Sequence, residues 1–218
     1  MAETRPHTTM INGVELQDDY YWLREREDPD VLAYLEAENA YTEAVMEHTT
    51  ALQETLYQEM LGRIQETDLS VPYRLDSFWY YTRTETGQPY GIFCRRAVGE
   101  GGGYDETVPE EILLDQNTLV SSEDDYLDIG DLSVSPDHRL LAYSVDNDGS
   151  EVYDIHIRDI ASGADRDEVI TETSSVIVWG NDNATLFFTR QDAAHRPYQL
   201  WRQQLGAEGE TLIHQEDD

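Results

Sequence analysis

The chain has 218 residues with 39% apolar and 10% aromatic content, too rich in core-forming side chains for a disordered polypeptide and long enough for one large or two modest cores. Its 46 Asp and Glu face 14 basic residues, every one an arginine, and the resulting net charge of -32 repels phosphate, which excludes a nucleic-acid binder or an anionic-membrane binder. No apolar run approaches the roughly 18 residues of a membrane span, the start MAETRPHTTM lacks the build of a secretory signal, and the single cysteine, Cys94, permits no internal disulfide, so the default expectation is a cytoplasmic protein.

The first marked stretch in chain order is DDYYWLREREDP from Asp18, where Tyr20, Tyr21, Trp22 and Leu23 stand together and need a surface to cover them. A helix start follows at once. Asp28 can cap, Pro29 suits the first helical position, Asp30 favours the positive end of the dipole, and Leu32, Leu35, Asn39, Ala40 and Ala44 form a stripe, which predicts a helix from about Pro29 to Glu47. Leu52, Leu56, Met60 and Ile64 recur every fourth residue and predict a second helix to about Ile64, so residues 1–68 are expected to form a helical arm.

Beyond Asp68 the text turns to short apolar or alternating runs punctuated by Gly, Asp, Asn and Pro, which predicts strands over 69–218. Three segments align without a gap: FWYYTRTETGQPYGIFCRR from Phe78, LAYSVDNDGSEVYDIHIRD from Leu141 and LFFTRQDAAHRPYQLWRQQ from Leu186. Each is a strand, a polar turn and a second strand opened by Tyr90, Tyr153 or Tyr198. Val71, Val134 and Val178 lie upstream, and the apolar runs Ile112 to Leu114, Val169 to Ile170 and Leu212 to Ile213 lie downstream, which makes four strands per unit. The tyrosines are 63 and 45 residues apart, the longer spacing holding the insertion VGEGGGYDETVPEE and the stretch around Asp124 to Asp131. A period near 45 with four strands predicts β-propeller blades; a two-sheet sandwich, the competing architecture, does not require a gapless repeat of one hairpin. The predicted fold class is mostly β with an N-terminal α-helical arm and about three four-stranded blades of an incomplete propeller, as if the chain opened a longer protein and stopped at Asp218.

A nucleophilic hydrolase needs a serine on a sharp turn, commonly G-x-S-x-G, and none is written here. Ser121, Ser122, Ser133 and Ser135 read as turn and cap residues. His7, His48, His138, His156, His195 and His214 show no pair at metal-ligand spacing, and Asp146, Asp148 and Gly149 suggest a calcium loop until its twelfth position, where Arg158 stands in place of a bidentate acid. That segment is expected to be a hairpin turn. The run Gly99 to Gly103 has no following Lys-Ser or Lys-Thr and reads as a mobile inter-strand loop, and the acceptor-like Asn183-Ala184-Thr185 is set aside. Trp79, Tyr80, Tyr81, Phe187, Phe188 and Trp201 fall on repeated strand positions and are expected to fill inter-blade space. No residue is assigned a catalytic, cofactor-binding or metal role, and no cofactor is expected. The spread of acids reads as a solvated surface suited to a salt-rich cytoplasm, with an acidic patch attracting cationic substrate as the other possibility.

The segments DDYYWLR, DPDVLAYLEAENAYTEAVM, VPYRLDSFWYYTR, EILLDQN, SVSPDHRLLAYSVDNDGSEVYDIHIRDI and WGNDNATLFFTRQDAAHRPYQLWRQQLG resemble the amino-terminal part of the prolyl oligopeptidase family of serine peptidases, with AENAYTEAVM, DGSEVY and RPYQLWR pointing to its oligopeptidase B branch. Gln203 and Gln204, and Ala194 with His195, depart from that branch's pattern. The resemblance implies a seven-bladed propeller limiting access to an α/β-hydrolase domain that carries a Ser, Asp, His triad outside this chain and cleaves short peptides after Arg or Lys. It also implies that Tyr20, Tyr21, Trp22 and Leu23 dock on that hydrolase domain. The alternatives are a non-enzymatic propeller scaffold that binds partner proteins, or a prolyl-specific member of the same family.

Overall fold

The computed structural model describes residues 2–122 and 125–217, and Asp124 of the expected insertion lies outside them. The chain divides into two units, 1–65 and 66–218. Among the described residues no helix is long and apolar enough to cross a membrane.

The first unit begins with a hairpin that helical periodicity does not reveal. Strands β1 (His7–Ile11) and β2 (Val14–Asp18) pair antiparallel around Asn12 and Gly13, whose φ angles of 52° and 80° are those of a two-residue turn matched to strand twist. After a 3-10 turn over Tyr21–Arg24, helix α1 (Pro29–Met46) starts where expected, the Asp28 carboxylate accepting the Asp30 amide at 2.9 Å. It passes through a 3-10 turn, Glu47–Thr49, directly into α2 (Thr50–Leu61), which ends a turn before Ile64. All the intervening residues keep right-handed helical backbone, so the two helices run on end to end. That explains why their apolar stripes do not meet: Val31 is buried, whereas Leu32, Leu35, Leu52, Leu56 and Met60 are exposed.

The second unit contains three four-stranded antiparallel meanders. The first is β3 (Tyr73–Leu75), β4 (Phe78–Arg83), β5 (Ile92–Ala97) and β6 (Glu110–Asp115). The second is β7 (Asp128–Val134), β8 (Leu140–Asp146), β9 (Tyr153–Asp159) and β10 (Ala164–Thr173); the third is β11 (Ile177–Trp179), β12 (Thr185–Gln191), β13 (Pro197–Gln204) and β14 (Thr211–Gln215). Each sheet is ordered as its strands follow in sequence and none closes on itself.

Two details depart from the aligned text. Tyr143 faces His156 and Phe188 faces Trp201, the pairs a gapless repeat dictates, but Tyr80 faces Arg95 instead of Phe93. The first hairpin is therefore slipped by two residues. A slip of two keeps every side chain on its own face, which is why the apolar pattern survives it. It also leaves Tyr90 outside β5, its amide bonded to the Asn117 side chain at 2.9 Å. Separately, the tight β3–β4 turn at Asp76 and Ser77 leaves Val71 outside β3, 89% exposed.

The repeat positions Tyr80, Tyr143 and Phe188 are each fully buried. One core joins the first two sheets through Tyr80, Phe93, Leu114, Leu141 and Tyr143; another joins the second and third through Ile155, Ile157, Ile177, Leu186 and Phe188, with Trp201 packed against it. Tyr81 lies on the other face of the first sheet, with Ile92, Cys94 and Tyr104. Tyr104 also meets Trp79 edge-on, with centroids 6.1 Å apart, and so anchors the glycine-rich insertion expected to be mobile.

Candidate functional site

The first strands of the three sheets line one wall. The Ile177 amide of β11 donates to Asp131 Oδ2 of β7 at 3.0 Å, and Trp179 Nε1 donates to the Ser133 carbonyl at 2.9 Å. Tyr73 of β3 lies within the field of the same Asp131; its phenol is pushed up by burial first and by that carboxylate second. Gly130 is required where β7 approaches the link between the second and third sheets, because a Cβ there would stand 2.4 Å from Ser175 Cβ and 2.8 Å from the Tyr153 ring. On this wall Tyr73 and Val178 are more than half exposed, a surface of rings and branched side chains edged by carboxylates.

Polar ties run between the sheets and within them. Arg95, buried, stacks over Phe78 at 4.0 Å, pairs with Glu111 at 2.7 Å and donates to the His138 carbonyl at 2.7 Å, while the His138 ring bonds the Tyr80 hydroxyl at 2.8 Å. Arg158 grips Asp165 through two nitrogens at 2.8 and 2.9 Å, and Tyr143 donates to the same carboxylate at 3.0 Å. Burial opposes the charge on Asp165, but those donors hold its carboxyl below the usual range. Gln203, one of the departures in the sequence, is buried and donates to Glu168 at 2.9 Å, tying the third sheet to the second.

Ser122, Ser135, Asp146, Asn183 and Cys94 take structural positions. Ser122 Oγ donates to Asp125, and Ser135 Oγ donates to Asp137 at 2.7 Å while accepting the Leu140 amide at 3.0 Å. Asp146 accepts the amides of Asp148, Gly149 and Glu151, which is the expected turn in place of a calcium loop. Asn183 Oδ1 accepts the Asp137 amide at 2.8 Å. Burial pushes the Cys94 thiol up to about 12, so it carries no thiolate nucleophile near neutrality. Among the described residues no group of three or more His, Cys, Asp or Glu is placed to hold a metal ion.

In the first unit, Tyr20 is 43% exposed and Tyr21, Trp22 and Leu23 are half-buried within the arm. Tyr21 stacks on His7 at 3.8 Å, and Trp22 lies under the Arg5 guanidinium at 4.1 Å with its Nε1 donating to the Glu3 carbonyl. The hairpin and N-terminal residues thus cover part of these rings, a contribution that helical periodicity alone hides. The broader uncovered surface is the outer face of α1 and α2.

Residues 1–218 match the family model described as "Prolyl oligopeptidase, N-terminal beta-propeller domain". The chain is 40% identical over 200 residues to dipeptidyl aminopeptidase BI of Pseudoxanthomonas mexicana, covering 86% of this chain and 28% of that protein. It is 34% identical over 223 residues to protease 2 of Moraxella lacunata, covering 100% and 32% respectively. The structure of oligopeptidase B from Leishmania major superposes with a TM-score of 0.89 at 28% identity, covering 100% of this chain and 32% of that one. The chain therefore spans about a third of the length of the curated relatives it matches.

Proposed function

Because the chain belongs to the prolyl oligopeptidase family through its N-terminal β-propeller domain, we propose that it is the access-limiting part of a serine oligopeptidase that hydrolyses short peptides after Arg or Lys. In that reading, further blades complete a seven-bladed ring, and an α/β-hydrolase domain supplies the nucleophilic serine, its histidine base and the oxyanion hole. None of the catalytic groups belongs to residues 1–218. The wall of first strands becomes the lining of a channel that admits flexible peptides and holds back folded proteins, and the arm packs on the hydrolase domain. The observation that carries the proposal is the match of the whole chain to the family's propeller domain, together with its likeness to oligopeptidase B.

The test is hydrolysis by the full-length protein of blocked arginyl, lysyl and prolyl amides, followed by arginyl peptides of increasing length. Arginyl and lysyl cleavage that fades with length supports the proposal; a preference for proline moves the protein to the prolyl-specific branch, and no hydrolysis favours a scaffold. The 218-residue chain alone should release no product, and labelling of it by a serine-directed inhibitor with concurrent turnover would overturn its assignment as non-catalytic. The 40% identity to a dipeptidyl aminopeptidase supports a second reading, removal of dipeptides from free N-termini. Comparing the same substrate with and without an N-terminal block separates the two.

A further inference from the structure

The second and third sheets meet along a cleft of about 420 Å³ whose lining includes Glu168, Val169, Ile170, Trp201, Gln203 and Glu210. The first three stand on β10, and Trp201 and Gln203 stand two apart on β13, so their side chains leave one face of that strand. Gln203 is 6% exposed. Its Nε2 lies 2.9 Å from Glu168 Oε1, 3.2 Å from the Ala207 carbonyl and 3.4 Å from the Gln204 carbonyl, three acceptors that fix which end of the amide is the nitrogen. Gln203 Oε1, on the other side of that amide, is buried and accepts no hydrogen bond among the described residues.

A buried amide oxygen without a donor is costly, and turning the amide over would only set that oxygen against three others. The charge around it is one-sided as well. Glu168 is held by neutral donors, Gln203 Nε2 and the Gly206 amide at 3.0 Å, whereas Glu210 pairs with Arg190 at 2.7 Å. No basic side chain is among the lining residues. The two carboxylates of the cleft therefore share one guanidinium, and one negative charge stands beside an oxygen that needs a donor.

We propose that this cleft binds a primary ammonium group carried on an alkyl chain, its N–H groups donated to Gln203 Oε1 and the Glu168 carboxylate and its methylenes laid against Val169 and the Trp201 ring. An ammonium has three donors and no acceptor, which suits a site whose open polar atoms only accept, and it brings the single positive charge that the two carboxylates leave over. A guanidinium fits less well, because the Trp201 face is already taken by Arg190, 4.8 Å from the ring centroid. A divalent metal ion lacks its ligands, since among the described residues no group of three or more His, Cys, Asp or Glu is placed to hold one. Two sources share the ammonium chemistry, a free amine and the lysine side chain of a peptide. The site is built by the sheets alone, so it stands or falls independently of the peptidase reading.

The test is titration of the full 218-residue chain with n-butylamine hydrochloride at constant ionic strength, read by fluorotryptophan resonances with Trp201 assigned through Trp201→Phe. Saturable millimolar binding that shifts Trp201, raises the melting temperature and weakens several-fold in Gln203→Met and in Glu168→Gln supports the proposal. Melting without ligand shows whether each variant is folded; if Gln203→Met is not, the exposed-edge change Glu168→Gln carries the comparison, and binding unchanged in it overturns the proposal. Equal shifts from n-butanol or tetramethylammonium, which offer no ammonium N–H, overturn it too, as do equal shifts from potassium ion. So does a crystal grown with butylamine that holds only water at Gln203 Oε1. N-acetyl-lysine methylamide then separates the sources: binding as tight as that of butylamine assigns the site to lysine side chains, and binding by butylamine alone assigns it to free amines.

Discussion

The arm and the sheets use the same kinds of residue to opposite effect. In residues 66–218 the apolar positions close on one another: Leu141, Tyr143, Ile155, Leu186 and Phe188 are each at most 1% exposed. In residues 1–65 the described apolar residue that reaches comparable burial is Val31, while Leu35, Leu52, Leu56, Tyr57 and Met60 stand about half exposed. The difference lies in topology, because a meander returns each strand beside the last, whereas α1 and α2 run on end to end and never face each other. Short isolated helices are marginal in water, and most helical stability comes from packing an apolar face. One unit therefore buries its apolar residues and the other leaves most of its helical ones exposed.

The largest expected effect divides the two units. Leu141→Ala removes a fully buried side chain at the contact of the first two sheets and should destabilise them by about 2–5 kcal/mol, whereas Leu56→Ala in the isolated chain should stay within about 0.5 kcal/mol. Chemical denaturation followed by tryptophan fluorescence and by helical circular dichroism reads both. In the full-length protein Leu56→Ala should become costly if the arm is docked. Equal small losses in both contexts would show that α2 is a solvated helix.

Asp165→Asn comes next. It leaves Arg158, whose side chain is 14% exposed, without its carboxylate and should cost about 1–3 kcal/mol. The same group sets a pH dependence. Its folded value is depressed, as are those of the turn carboxylates Asp137, Asp159, Asp182 and Asp192, so their stabilisation is complete above the unfolded value near about 3.9 and is lost as pH falls through the folded values. Melting of the sheets should collapse below about pH 4. Between neutrality and that point, protonation of ordinary surface acids relieves the charge of -32 and opposes any loss. Added potassium chloride should act the same way at pH 7, raising the melting temperature as the screening length falls from about 10 Å at 0.1 M to about 3 Å at 1 M. A flat or falling curve would show that the acids place no load on the fold.

What was legible follows the same division. The four-strand repeat could be read because a buried strand face writes a two-residue period into the text, as Leu141 with Tyr143 and Leu186 with Phe188 do. The slip of the first hairpin could not, because a two-residue shift preserves that period. The slip goes with Arg95 opposite Tyr80, whose guanidinium reaches the His138 carbonyl in the turn between β7 and β8, a contact between residues 43 apart. The helix start at Asp28 was legible from its cap, but the end-to-end path of α1 and α2 was not, since Thr49 and Thr50 look like a break whereas Thr49 ends a 3-10 turn and Thr50 opens α2. The β1–β2 hairpin carried a signal, Asn12-Gly13 between two short strands, that a helical stripe does not contain.

The smallest effect tests whether the units are energetically separate. Gly13 sits at φ 80° with nothing within 4 Å of where a Cβ would stand, so Gly13→Ala meets no steric obstacle and pays only for a left-handed backbone. That cost is about 1 kcal/mol, and it falls on a two-stranded hairpin that is marginal by itself. The substitution should fray β1 and β2, speed amide exchange at Thr9 and Leu16, and loosen the cover that His7 and Arg5 give to Tyr21 and Trp22. Melting of the sheets should not move, because no part of their core is touched. If the sheets instead lose the same increment as the hairpin, the arm and the blades unfold as one cooperative body, and the contrast between a unit with a buried core and a unit with exposed helices is wrong.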